Sequence, residues 1–423
     1  MTDEKNVSYP SGRVRKVVFT EEMKKTHTIL VPDMLPIHFE LIVSVFRLYG
    51  YKMEVLKNTG RAVVDEGLKN VHNDTCYPAL LVIGQFLDAL NSGKYNPDTT
   101  ALMLSQTGGG CRASNYISLL RKALMGKYPQ IPVLSLNFSG LEKDASIKIT
   151  IPIALKLVYA VLYGDILMLL FNQCKPYELI DRATDKLLKH WEKKLNNAFE
   201  KNSFLSTKKT YKAILDDFAK IERKKIQKPK VGIVGEIYVK YSPLANNDLE
   251  KFLIKEGCEP VVPGLMDFVL YCAVCNFNDG KLYGYKSKST IFNKIGYKVL
   301  YNRQRQMMDI IKKHGVFQAP HDFEELRHEA DKYINQGVTM GEGWLITAEM
   351  AALAQTGTEN IICTQPFGCL PNHIVAKGMS RVIKDAFPEA NIVAIDYDPG
   401  ATRVNQENRI KLMLANVKQK KEK

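Results

Sequence analysis

No G-x-x-x-x-G-K-[ST], G-x-S-x-G or H-E-x-x-H string occurs in this 423-residue chain. That removes P-loop nucleotidases, nucleophile-elbow hydrolases and zincin-type metalloproteases. A C-x2-C-x2-C run is missing too, so a ferredoxin-type cluster site is not expected. The 27 Gly and 18 Pro are too few for a collagen-like or low-complexity chain, and 45% hydrophobic with 25% charged residues excludes general disorder. The opening MTDEKNVSYPSGRVRKVVF has no apolar h-region, so no secretory signal is expected. The most apolar stretch, Ile149 to Phe171, is broken by Lys156, Gly164 and Asp165. Charges near the centre of a span each cost a few kcal/mol in lipid. We expect there a buried helical hairpin of a soluble, cytoplasmic protein, with no membrane partner.

What is present is enough chain for two or three domains, each with its own core. The formal charge is +14, and it is unevenly placed. Residues 186–230 carry 14 Lys/Arg against 5 Asp/Glu, a net +9, the tail 418–423 adds +3, and the remaining 372 residues hold only +2. A Lys-rich, Arg-poor helical segment with few aromatics reads more readily as a solvated face, or a dock for an acidic protein, than as a nucleic-acid groove. Eight cysteines without a secretory signal point to a reducing compartment, where thiols serve as packing, metal ligands or catalysts.

Along the chain, apolar runs that fit buried strands alternate with segments of helical period. The expected order is strand 27–32, helix 36–50, strand 52–56, helix 78–90, strand 101–105, helix 112–125 and strand 131–136. Helices then run to about 225, including an amphipathic stretch 179–199, and a second series follows. It holds strand 231–238, helix 244–256, strand 260–263, a helical section to about 336, helix 344–355, strand 360–365, a helix to 387, strand 390–396 and helix 403–415. Repeated β-α-β units with one-strand apolar runs mean parallel sheets covered on both faces. The fold class is α/β: two Rossmann-like parallel-sheet domains, 1–150 and 228–423, joined by a basic helical segment, 151–227.

Ligands of such sheets bind beyond the carboxyl ends of the strands. Strand 101–105 leads into Gln106-Thr-Gly108-Gly109-Gly110-Cys111-Arg112 and then a helix. The glycines permit close backbone approach, and a helix start supplies N–H groups that favour a Cys111 thiolate. Gly108, Gly110 and Ala113 also fit G-x-G-x-x-A, but the next strand ends Leu136-Asn137 without the acidic residue a dinucleotide site needs. Cys76 lies in His72-Asn-Asp-Thr-Cys76-Tyr-Pro78, where Pro78 opens a helix. Cys369 follows strand 360–365 in a Pro/Gly loop, whereas Cys363 falls inside that strand and reads as a buried small hydrophobe. Cys272 and Cys275 have C-x-x-C spacing inside an apolar helix, with no second pair to complete a zinc site. Cys174 and Cys258 read as packing residues. Glu342, in Gly341-Glu342-Gly343-Trp344, is a weak candidate acid and more simply a first-turn carboxylate. His373 is the best proton carrier among His38, His72 and His373. Asp396 and Asp398 read as turn and cap residues.

The strings HNDTCYPALLVIGQFLDAL, QTGGGCRASNYISLLRKAL, VGIVGEIYVKYSPLANNDLEKFL, VVPGLMDFVLYC, CTQPFGCLPNHIVAKGM and AIDYDPGATRVNQENRIKLMLA resemble the 2-hydroxyacyl-CoA dehydratase and benzoyl-CoA reductase superfamily, above all its acyl-CoA dehydratase activase-related members. The resemblance runs from about residue 27 to 415 and lapses through the basic segment. It implies Rossmann-like domains and a 4Fe-4S cluster held by three cysteines. Cys76 and Cys111 look like two of these ligands, Phe367-Gly-Cys369-Leu-Pro371 resembles the motif carrying the third, and Cys363 is the alternative third ligand. It further implies an anaerobic iron-sulfur enzyme. A separate ATP-dependent activase with its own cluster would deliver one low-potential electron, which passes to the thioester carbonyl of a 2-hydroxyacyl-CoA. The resulting ketyl expels the hydroxyl, and the electron returns after proton loss. Larger relatives fuse the ATPase to this region, whereas this chain has no phosphate loop of that type. A homo- or heterodimer is expected. Three other readings stay open: a double-cubane (8Fe-9S) reductase of small molecules, a non-catalytic electron-transfer scaffold that docks the ATPase through its lysines, and a basic nucleic-acid-binding protein whose affinity falls steeply with salt.

Overall fold

A computed structural model describes residues 16–72, 74–106, 110–137, 147–284 and 290–421. By its contacts the chain divides into two compact units, Met1–Pro32 with Gly50–Lys148, and Asp33–Tyr49 with Ile149–Lys423.

The first unit is built on a four-stranded parallel sheet of β1 (Thr28–Val31), β2 (Met53–Val55), β3 (Thr100–Gln106) and β4 (Val133–Asn137), in the order β2-β1-β3-β4. Its register pairs Ile29 with Met53 and with Ala101, and Leu102 with Val133. Strand β3 is buried at every position but Ser105, as a central strand covered on both faces must be. Helix Tyr77–Asn91 is almost wholly buried and crosses helix Arg61–Asn70, which the sequence reading missed, at Gly67 and Gly84. A Cβ on Gly84 would sit 2.1 Å from the Val63 carbonyl oxygen, so these backbones meet only because the residue has no side chain. The expected helix 112–125 begins instead as a 3-10 turn, Arg112–Asn115, before the α-helix Tyr116–Leu124.

The second unit repeats the sheet order with β5 (Lys230–Gly235), β6 (Glu259–Val261), β7 (Asn360–Pro366) and β8 (Asn391–Tyr397), in the order β6-β5-β7-β8, all parallel. Helix Trp344–Gln355 packs Ile346, Met350 and Leu353 against Val234, Ile361 and Cys363 of this sheet. Each sheet is thus parallel and Rossmann-like, as expected from sequence. The expected helix 244–256 is split into Pro243–Asn246 and Leu249–Lys255. Asn247 and Asp248 between them take left-handed backbone angles, φ 58° and 57°, which these two residue types tolerate.

The apolar stretch 149–171 is one helix, Ile151–Cys174, not a hairpin. The run Ile151–Tyr177 is long and apolar enough to cross a membrane, yet 72% of its most apolar window is buried inside the fold. Its interior charges are compensated instead of breaking it. The Lys156 ammonium lies 5.2 Å from the centre of the Tyr49 ring and 5.8 Å from that of Phe204. Asp165 accepts N–H groups from Leu265 (2.7 Å) and Met266 (3.0 Å), which open helix Leu265–Leu282, and lies 2.8 Å from His38 Nε2. Helix Pro36–Leu48, which carries His38, therefore belongs to this unit, although the chain on either side of it belongs to the other. In the basic segment, helix Ala183–Glu200 buries Leu188, Trp191, Leu195 and Phe199 and leaves Lys186, Lys189, Lys193 and Lys194 exposed, the solvated face expected of it.

Candidate functional site

In a sheet of order β2-β1-β3-β4, the chain leaves β1 to one side and returns on the other, so the crevice beyond the carboxyl ends of β1 and β3 is the switch point. The thiols singled out in the first unit border that edge. Cys76 is the N-cap of helix Tyr77–Asn91, which starts one residue before Pro78, and is 5% exposed. Its Sγ lies 2.8 Å from the Tyr116 hydroxyl. Cys111 is the N-cap of the 3-10 turn and accepts the Ala113 N–H on Sγ at 3.5 Å, a donor that favours a thiolate. Gln106, the last residue of β3, ties the turn down by donating to the Ser114 carbonyl (2.9 Å) and accepting from Ser135 (3.1 Å). The fold therefore brings Cys76 to Tyr116, the residue into which the Cys111 turn leads. Gly110 is exposed in the turn before Cys111, and Gly108 and Gly109 lie outside the described residues. His72 is exposed on the loop before Cys76 and accepts the Asp74 N–H.

The second unit has its switch point beyond β5 and β7. Cys369 follows β7 in a turn where its N–H donates to the Pro366 carbonyl (3.2 Å), and it is 8% exposed. Its own carbonyl accepts from the His373 N–H (3.2 Å) and lies 2.9 Å from His373 Nδ1. That contact places the ring proton on Nδ1 and leaves Nε2 of the exposed imidazole to accept. The next six residues, Asn372–Lys377, form a π-helical turn, a feature frequent at functional sites. Beneath it, Gln365 Oε1 and Asn372 Nδ2, both fully buried, have no hydrogen-bond partner among the described residues. Cys363 lies within the core cluster, 1% exposed, and burial pushes its thiol up to about 12, as befits a packing residue.

Glu342 is not a carboxylate of its own helix's first turn. Its Oε1 reaches across to the Ile237 N–H at 2.9 Å, while Glu236 caps the same short helix by accepting the Val239 N–H at 2.8 Å. Burial raises both carboxyls above the ordinary value, and Glu342 adds its charge to the effect on Glu236. Sequence reading missed Glu236 because the expected strand ran to Tyr238. The strand ends at Gly235, so the strand-end rule would have found it. Tyr116 and Tyr271 were missed for a different reason: only folding gives their hydroxyls the Cys76 thiol and the Gly341 carbonyl as partners.

The remaining candidates serve structure. Cys174 and Cys258 are buried, and Cys272 is exposed with Cys275 half-buried on helix Leu265–Leu282. Asp398 closes a turn on the N–H groups of Gly400 and Ala401, Thr402 caps helix Arg403–Lys421, and Asp396 lies 3.4 Å from Lys377. None of the eight cysteines is in a disulfide, and among the described residues no group of three or more His, Cys, Asp and Glu side chains is gathered tightly enough for a metal ion. An iron-sulfur cluster makes a different demand, because it brings its own sulfides and its thiolates bind separate irons. Of the thiols, Cys76 has the Tyr116 hydroxyl beside its sulfur and Cys111 the Ala113 N–H. No protein-family model, curated protein or solved structure matches this chain.

Proposed function

We propose that this chain is an iron-sulfur protein of the 2-hydroxyacyl-CoA dehydratase type, with Cys76, Cys111 and Cys369 as thiolate ligands. A separate ATP-dependent activase supplies the electron for radical dehydration or reduction of an acyl-CoA. The observation that carries the reading is the repeated placement of thiols. Cys111 follows β3 and Cys369 follows β7, the corresponding central strands of two sheets of the same order, and Cys76 caps the helix that leads into β3.

When bound, the cluster supplies one-electron chemistry at low potential. The chain's own residues have simpler tasks. The Ala113 N–H and the Tyr116 O–H stand where they can hydrogen-bond ligand sulfurs, which stabilises added negative charge. Burial of Cys76 and Cys369 keeps water from their sulfurs. His373, fixed through Nδ1, offers Nε2 as a proton acceptor beside the Cys369 turn.

The test is iron and acid-labile sulfide per chain in protein purified without oxygen, with low-temperature EPR after reduction. About four irons per chain are expected, and about eight would favour the double-cubane reductase. Cys76→Ser, Cys111→Ser and Cys369→Ser each lose cluster absorbance, whereas Cys174→Ser and Cys258→Ser keep it. Full iron retention in all three of the first set overturns the ligand assignment.

A further inference from the structure

Between Ala183 and Lys220 the chain has nine lysines, no arginine and five acidic residues. Four of the five acids already have a cation: Asp185 meets Lys175 at 2.5 Å, Glu192 meets Lys189 at 2.6 Å, Asp217 meets Lys220 at 2.9 Å and Asp216 meets His314 at 3.3 Å. The fifth, Glu200, is exposed near the end of its helix. Lys186, Lys193, Lys201, Lys208, Lys209 and Lys212 are exposed, and among the described residues none of them meets a carboxylate. Lys186, Lys189 and Lys193 recur at helical spacing opposite the buried Leu188, Leu195 and Phe199, and Lys201 follows at the C-terminal end. Helix Thr207–Ala219, which packs against that helix, adds Lys208, Lys209 and Lys212.

A face that meets only water interleaves both signs of charge. Other exposed helices of this chain do so at one-turn spacing, with Arg61 on Asp65, Arg381 on Asp385 and Arg403 on Glu407. On the lysine face one sign is left unanswered, and its chemistry selects among anionic partners. Nucleic acids are held by aromatic side chains that stack on bases and by arginine forks on phosphate. Here Trp191, Phe199, Phe204, Tyr211 and Phe218 are all at most 3% exposed, and arginine is missing. A lipid surface is held by apolar side chains projecting beside the cations, whereas in this stretch Leu205 is the one large apolar residue that is exposed. A protein surface of Asp and Glu needs neither, because lysine ammonium groups meet carboxylates as point charges.

We infer that the lysine face of helices Ala183–Glu200 and Thr207–Ala219 is a docking surface for an acidic protein, which it steers by charge. The surface goes beyond the proposed chemistry and stands whether or not iron binds. Its readout is association, not turnover.

The experiment is binding of fluorescent poly-L-glutamate to the full chain, read by anisotropy over a range of salt concentrations. A single-stranded polyuridine and phosphatidylserine vesicles are compared at the same salt. Affinity for polyglutamate is expected to fall as salt rises, since the lysines are exposed. It should drop by about tenfold or more in the variant Lys186→Glu/Lys193→Glu/Lys201→Glu. The control Lys52→Glu/Lys122→Glu/Lys298→Glu makes the same change of charge on exposed lysines elsewhere and should lose less than about twofold. Folding is checked by circular dichroism, and if the first variant fails to fold, Lys208→Glu/Lys209→Glu/Lys212→Glu reads the adjoining helix. A native chain that does not bind polyglutamate, an equal loss in the folded face and control variants, or tighter binding of polyuridine or of the vesicles overturns the inference.

Discussion

Asp165 has its hydrogen-bonding capacity met from three directions. Its two oxygens hold the N–H groups of Leu265 and Met266 and the ring of the fully buried His38. Removing such a carboxylate strands several buried donors at once. Asp165→Ala is therefore expected to destabilise the protein by about 3–5 kcal/mol, seen as a lower unfolding temperature. Asp165→Asn keeps one acceptor and should cost about half as much. Some of this residue-scale chemistry was legible in sequence. Cys363 reads as packing because it lies within an apolar strand, and Asp398 reads as a turn former because Pro-Gly follows it. The His38–Asp165 contact spans 127 positions, and no local pattern announces it. Glu236 was hidden by a strand boundary placed three residues too late.

At the scale of elements, the alternation of apolar runs and helical periods placed all eight strands and the parallel arrangement of both sheets. Periodicity failed where a backbone detail decides. The 3-10 start at Arg112, the break at Asn247-Asp248 and the unbroken helix Ile151–Cys174 depend on single residues and their partners, which an averaging window smooths away. Helix Arg61–Asn70 was passed over because its apolar face is short; it buries only Val63 and Gly67. That face is nevertheless demanding. Gly84→Ala would press a methyl against the Val63 carbonyl and force the two helices apart. A loss of about 1–3 kcal/mol is expected, measurable by chemical denaturation, with Gly67→Ala similar because its Cβ would meet the Leu80 carbonyl.

Across the whole molecule, the buried acids of the second unit set a pH dependence of stability. Burial pushes Asp267 up to about 8, although Gln304 donates to it at 2.6 Å, and Glu250 is raised for the same reason. Each holds its proton in the folded chain at a pH where the unfolded chain has released it. The stabilisation is thus complete below the ordinary carboxylate range and is lost as pH rises toward about 8. The unfolding temperature should fall over that interval, and Asp267→Asn, which keeps an acceptor for Gln304, should flatten the slope. The strands of both sheets were legible from sequence, whereas the threading of residues 33–49 into the second unit was not, since nothing in them says which sheet they serve.

That threading bears on biosynthesis. The chain lays down β1, then helix Pro36–Leu48, then returns to β2, and the helix must bury His38, Leu41, Val45 and Phe46 against residues not yet made. Its main neighbour, helix Ile151–Cys174, leaves the ribosome more than a hundred residues later. Until then the helix lacks its main packing partner. A fragment cut near residue 150 would lack it permanently, so truncation there should yield an aggregating polypeptide in place of an excised domain.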